Sequence, residues 1–127
     1  MNLIEHTAIG DSRDKIYAIE NMHGTGGDDR FIGNDGPNLF IGDYGEDFAK
    51  GGEGDDELLG SSLRDTLKGG PGTDILEGGS SKDMLFGNSG DDALDGGKGN
   101  GNENDGGEGI DHCERPAPAD GAKRCET

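Results

Sequence analysis

Apolar positions along this chain are sparse and evenly spaced. Phe31, Phe40, Ala49, Leu58, Leu67, Leu76, Leu85 and Leu94 follow one another at intervals of nine residues. Glycine keeps the same beat at Gly24, Gly33, Gly42, Gly51, Gly60, Gly69, Gly78, Gly87 and Gly96. So does an acidic residue, at Asp29, Asp47, Asp56, Asp65, Asp74, Asp83 and Asp92, with Asn38 filling the second unit. In units counted from each glycine, the sixth place is acidic and the eighth apolar. The ninth unit, GGKGNGNEN, breaks both columns with Gly101 and Glu103. One extra residue then precedes a tenth unit from Gly106, which restores them with Asp111 and Cys113. A fixed period of this length predicts stacked repeats, each too small to bury its apolar residue alone.

Composition alone points the other way. Asp and Glu number 28 against 11 Lys and Arg, the formal charge is -17, and only 28% of residues are hydrophobic. Low hydrophobicity with high net charge is the mark of a disordered chain. One inward side chain per nine residues does not offset the ordering of those nine. If the repeats fold, something other than side chains must complete the interior. The charge excludes nucleic acid and anionic membranes as partners and favours cations that take oxygen ligands. No apolar run approaches the ~20 residues of a bilayer span, so membrane insertion is not expected. Met1-Asn2-Leu3-Ile4-Glu5-His6 lacks the regions of a secretory signal. The chain is therefore expected to stay inside, to leave by another route, or to be cut from a longer protein.

The units GTGGDDRFI, GNDGPNLFI, GDYGEDFAK and GGEGDDELL fit G-G-x-G-x-D-x-U-x, with U a large apolar residue. This resembles the RTX (repeats-in-toxin) calcium-binding family, over residues 24–114. The resemblance implies an all-β, right-handed parallel β-roll of about ten nonapeptides, two per turn. Six residues of each would form a calcium-binding loop and three a short strand. Residues 1–23 would be a degenerate repeat and N-terminal cap, and 115–127 a C-terminal cap or tail.

Glycine at the first, second and fourth places lets a loop enter backbone regions closed to other residues and keeps carbonyl oxygens open to a cation. Ca²⁺ takes six to eight oxygens at about 2.3–2.6 Å. The expected side-chain ligands are Asp29, Asn38, Asp47, Asp56, Asp65, Asp74, Asp83, Asp92 and Asp111. Carbonyls near Gly24, Gly27, Gly33, Gly36, Gly42, Gly45, Gly51, Gly54, Gly69, Gly72, Gly87 and Gly90 would complete the shells. With two units per turn, one edge stacks Asp29, Asp47, Asp65 and Asp83, and the other Asn38, Asp56, Asp74, Asp92 and Asp111. By the resemblance each ion sits between stacked loops and takes carboxylates from both, with a weaker site at Asn38 and Asp56. Seven such ions carry roughly fourteen positive charges. Carboxylates stacked about 4.8 Å apart repel one another without them.

Some units depart from the pattern. Leu63 and Ser81 replace the fourth glycine, and Arg64 and Lys82 stand beside the acid, which puts the Asp47/Asp65 and Asp65/Asp83 pairs in doubt. Upstream, IGDSRDKIY (residues 9–17) reads as a degenerate copy with Asp14 and Ile16 in the acidic and apolar places, followed by Ile19-Glu20-Asn21. Cys113 and Cys125 either close a loop containing Pro116, Pro118 and Gly121 or remain free thiols. The seventh and ninth places should face outward. Leu39, Ile41, Leu59 and Ile75 would then lie on one sheet and Ile32, Phe48, Met84 and Phe86 on the other. They are a possible surface for a partner domain or self-association.

Catalysis is not expected. His6, His23 and His112 share no metal-ligand spacing, and no G-x-S-x-G or P-loop occurs. Pairs such as Asp28-Asp29 recur unit after unit, where a catalytic pair needs one copy. The expected function is a non-catalytic calcium-binding module that folds on binding several Ca²⁺ ions, placed in a secreted or cell-surface protein. The alternatives are the calcium-binding domain of a larger secreted protease or lipase, and an adhesive or ice-binding surface. The last needs an outward threonine or asparagine ladder, and Thr25, Thr66 and Thr73 sit at unmatched places.

Overall fold

A computed structural model describes residues 21–114 and 125, and the backbone of 15–17. Within them the chain forms only short strands: β1 (Lys15–Tyr17), β2 (Asn21–His23), β3 (Arg30–Ile32), β4 (Leu39–Tyr44), β5 (Phe48–Lys50) and β6 (Glu57–Ser62). β7 (Thr66–Pro71), β8 (Ile75–Ser80), β9 (Met84–Ser89), β10 (Ala93–Asp95), β11 (Glu103–Glu108) and β12 (His112–Glu114) complete the set. Odd-numbered strands make one six-stranded sheet and even-numbered strands the other, each in chain order. Every pairing is parallel. The chain therefore alternates between sheets, and two units make one turn of a parallel β-roll. No helix long and apolar enough to cross a membrane occurs among the described residues.

The register carries the nine-residue beat into the interior. Phe31 pairs with Ala49, Ala49 with Leu67 and Leu67 with Leu85 in one sheet. Phe40, Leu58, Leu76, Leu94 and Cys113 align in the other. These residues point between the sheets, where Met22, Phe31, Phe40, Ala49, Leu58, Leu67, Leu76, Leu85 and Leu94 form the core and Cys113 packs against it. Phe31 and Phe40 stack across it with ring centroids 5.4 Å apart. Alternation leaves one inward side chain among the last three residues of each unit. The strands are not all three residues long, however: β4, β6, β7, β8, β9 and β11 run six, into the first three places of the next unit.

Two places depart from the simple period. At the start, Ile16 aligns with Phe31, fifteen residues on, whereas Met22 aligns with Phe40 at the regular eighteen. The connection between β1 and β2 is thus short, and the sheets begin before Gly24. Asp14, Ile19 and Glu20 lie outside the described residues. Near the end, the extra residue does not follow the ninth unit, as counting from glycines places it. It sits within that unit's loop, so Asn104 pairs with Leu85 and Glu103 with Met84. Asn104 thereby takes the inward place and Asn102 the acidic one, both fully buried. The roll keeps its register there rather than losing it.

The outward residues divide between sheets as the alternation predicts. Most are half-buried, and among Leu39, Ile41, Leu59 and Ile75 only Ile75 is exposed. On the opposite sheet Arg30 lies 4.5 Å over the Phe48 ring, and Lys68 stands between Phe48 and Phe86. Cys113 and Cys125 are joined in a disulfide, which ties the last strand to the tail.

Candidate metal centre

The loops stack because nothing projects between them. A side chain at Gly45 would run into the Gly27 carbonyl one turn below, and φ there is 147°. On one edge the loops bond directly, with Gly54 N–H donating to Pro71 O, Gly72 N–H to Ser89 O and Gly90 N–H to Glu108 O, at 2.8–2.9 Å. On the other edge Gly27 N–H makes the same bond to Tyr44 O at 2.8 Å. Leu63 and Ser81, which replace glycine on that edge, hold φ of 72° and 96°. The deviant loops therefore keep the glycine conformation at a steric cost.

From Asp47 onward, each acidic residue at the sixth place is buried and reaches one turn back. Asp47 Oδ1 accepts the Asp29 N–H at 2.7 Å, Asp65 that of Asp47 and Asp83 that of Asp65, both at 2.9 Å. On the other edge Asp56, Asp74, Asp92 and Asp111 accept from Asn38, Asp56, Asp74 and Asp92 at 2.8–3.0 Å. One oxygen of each carboxylate is thus spent on the scaffold. The other, Oδ2 of Asp47, Asp56, Asp65, Asp74, Asp83, Asp92 and Asp111, is buried with no hydrogen-bond partner. It lies over the first glycine of its own loop. A methyl group at Gly42 would strike Asp47 Oδ2 and the Gly60 carbonyl together, and one at Gly87 would strike Asp92 Oδ2 and the Gly106 carbonyl. Orphaned carboxylate oxygens and backbone carbonyls thus converge where glycine leaves space.

The field in these columns disfavours the charge that neutral pH would place there. Burial pushes Asp65 up to about 8, against one opposing backbone hydrogen bond, and the charges of Asp47, Asp83 and Glu46 add to it. Asp74 rises to about 7 through burial, with Asp92, Asp56 and Asp55 adding. Burial lifts Asp47 to about 6, with Asp29, Asp28 and Asp43 adding, and lifts Asp83 to about 6 as well. Asp56 and Asp92 are also raised, chiefly by burial. Among the described residues no Lys or Arg forms an ion pair with these carboxylates. A buried, unpaired carboxylate is costly, and a bound cation relieves it. Among the same residues no three Asp, Glu, His or Cys side chains converge. An ion here must draw most of its shell from backbone carbonyls. An all-oxygen donor set of this kind suits a hard divalent cation.

Where the sixth residue is asparagine the loop differs. Asn38 donates its amide hydrogens to Asn34 O at 3.3 Å, to Gly36 O and to Asp56 Oδ1 at 3.1 Å. Asn102 Oδ1 accepts the Asp83 N–H at 2.9 Å, as an aspartate would, while its amide nitrogen donates to Gly96 O at 2.7 Å. Gly101, the residue that glycine counting puts in that place, does not occupy it.

The acidic pairs prove to be a division of labour. Asp28, Asp55 and Asp91, at the fifth place, are exposed and accept the N–H of Glu46, Thr73 and Ile110 one turn ahead, at 2.9–3.0 Å. In Asp55-Asp56 and Asp91-Asp92 one acid thus grips the turn ahead and the other the turn behind. Recurrence of Asp-Asp was the only trace of this in the sequence. His23 and His112 lie at the surface beside Asp43 and Glu114, at 3.8 and 3.1 Å. His6 lies outside the described residues.

A family model described as the RTX calcium-binding nonapeptide repeat (4 copies) matches residues 23–58, 32–67 and 68–102. No curated protein and no solved structure matches the chain.

Proposed function

The chain belongs to the RTX calcium-binding nonapeptide-repeat family, and on that premise we propose a non-catalytic calcium-binding β-roll module that folds on binding several Ca²⁺ ions in a secreted or cell-surface protein. The observation that carries this is the row of buried, partnerless Oδ2 atoms on both edges. Bound calcium supplies countercharge and a centre of coordination, and it is the folding partner that the sparse core lacks.

The residues divide the work. The Oδ2 atoms of Asp47, Asp56, Asp65, Asp74, Asp83, Asp92 and Asp111 provide charge, with Asp29 at the head of its column. The loop carbonyls next to the first glycines provide neutral oxygens. Each Oδ1 fixes its carboxylate against the preceding turn, which aims the other oxygen within the folded loop. Residues 24–114 are the calcium-binding part, with 1–23 and 115–127 as caps. The oxidised cysteine pair supports an extracellular setting, because disulfides persist in oxidising compartments.

Far-UV circular dichroism during a calcium titration tests the proposal. The coil signal of a chelated sample should convert to β-structure as Ca²⁺ is added and return on addition of EGTA. Mg²⁺ should substitute poorly, because it demands tight octahedral geometry and sheds water reluctantly. A spectrum indifferent to millimolar Ca²⁺ refutes the proposal.

A further inference from the structure

We infer that Asn38 and Asn102 each replace a cation with an amide group, so that their loops take no calcium and keep their shape without it. The inference rests on the calcium-binding reading above and departs from the expectation that Asn38 is a ligand.

The contrast with aspartate carries it. Seven aspartates leave Oδ2 buried without a partner, whereas Asn38 and Asn102, residues 3% and 0% exposed, both have hydrogen-bonded amide nitrogens. An ionised carboxylate only accepts, so loop carbonyls facing it need a positive centre between them. A primary amide carries two donors on one nitrogen and meets those carbonyls itself. Asn38 does so at Asn34 O and Gly36 O, and Asn102 at Gly96 O. The amide orientation is fixed by the same partners. Turned over, each side-chain oxygen would face a carbonyl oxygen. Asn102 keeps the scaffold bond that aspartate makes, so one atom conserves the grip and the other replaces the ion.

Placement supports the same role. Asn38 is the first described residue of its sixth-place column, and Asn102 is the last described one in the column on the opposite edge. The two substitutions thus stand in the first described six-residue loop of one edge and the last described loop of the other. The Asn102 loop also carries the extra residue, which a loop holding no ion tolerates. Six aspartate–aspartate steps remain as the inter-loop sites: 29/47, 47/65, 65/83, 56/74, 74/92 and 92/111.

Calcium counted by equilibrium dialysis and atomic emission on the full chain is the test. N38A and N102A should bind as many ions as the wild type, while N38D and N102D should each bind one more. Loss of an ion in either alanine variant, or an unchanged count in both aspartate variants, overturns the inference. Should a variant fail to fold, the unaltered calcium-loaded chain still decides. The side-chain NH₂ protons of Asn38 and Asn102 should be protected from exchange by NMR, and fast exchange overturns the inference. A wild type that binds no calcium at all defeats the calcium-binding reading and this inference together.

Discussion

A sixth-place aspartate divides its two oxygens between a neighbouring backbone N–H and an interior with no hydrogen-bond partner for it. Removing one carboxylate therefore does two kinds of damage. Asp74→Ala should strip a scaffold bond from Asp56 and weaken the two sites that share residue 74 on that edge. Isothermal titration should show both losses, and an unchanged ion count would refute this pairing of loops. The fourth place offers the opposite experiment. Leu63 holds a positive φ with a side chain that is 52% exposed, so little packing depends on it. Leu63→Gly and Ser81→Gly should each stabilise the calcium-loaded roll by about 0.5–1 kcal/mol, the relief of left-handed strain less the added freedom of the unfolded chain. Melting in excess calcium checks this.

At the scale of the strand, most of the architecture was readable beforehand. A column of single apolar residues at a period of nine predicted where the strands fall, and the register follows it from Phe40 to Leu94, although β4, β6 and β8 run six residues rather than three. Two elements escaped because they break the count. Met22 lies one period before Phe31, but its unit has no glycine to announce it. Asn102 and Asn104 stand one place later than glycine counting allows, and a polar residue in the inward column carries no hydrophobic signal. What Oδ1 binds was invisible for another reason: side-chain aim against the turn below depends on loop geometry, not on residue type. The misfit at Asn104 is itself testable. It is fully buried with Oδ1 unpartnered, in a place that leucine fills elsewhere. Asn104→Leu should raise stability by on the order of 1 kcal/mol, although Glu114 O loses its donor.

For the molecule as a whole, the columns of carboxylates set a dependence on pH whose sign reverses with metal. In the metal-free roll Asp47, Asp65, Asp74 and Asp83 have pKa values raised from 3.8 to between about 6 and 8. The folded form then holds more protons than the unfolded one across that interval. Its stability is fullest below the unfolded value and falls as pH rises through the folded ones. A demetallated sample should therefore gain β-structure as pH drops from 8 toward 4. Over the same window protons compete for the oxygens that bind calcium, so calcium affinity should fall. Circular dichroism and titration across the window read both trends, and parallel rather than opposite slopes would contradict the scheme.

Because odd and even strands go to different sheets, this polypeptide can gain or lose whole units cleanly only in pairs, eighteen residues at a time. Excising 51–68 would rejoin like to like, leaving every later side chain on its original face. Excising 69–77 alone would transpose everything downstream: Phe86 would leave the flank it shares with Lys68, and the Asn102 loop would move to the other edge. Growth or loss of this scaffold by whole pairs of units is thus a geometric rule written into its winding.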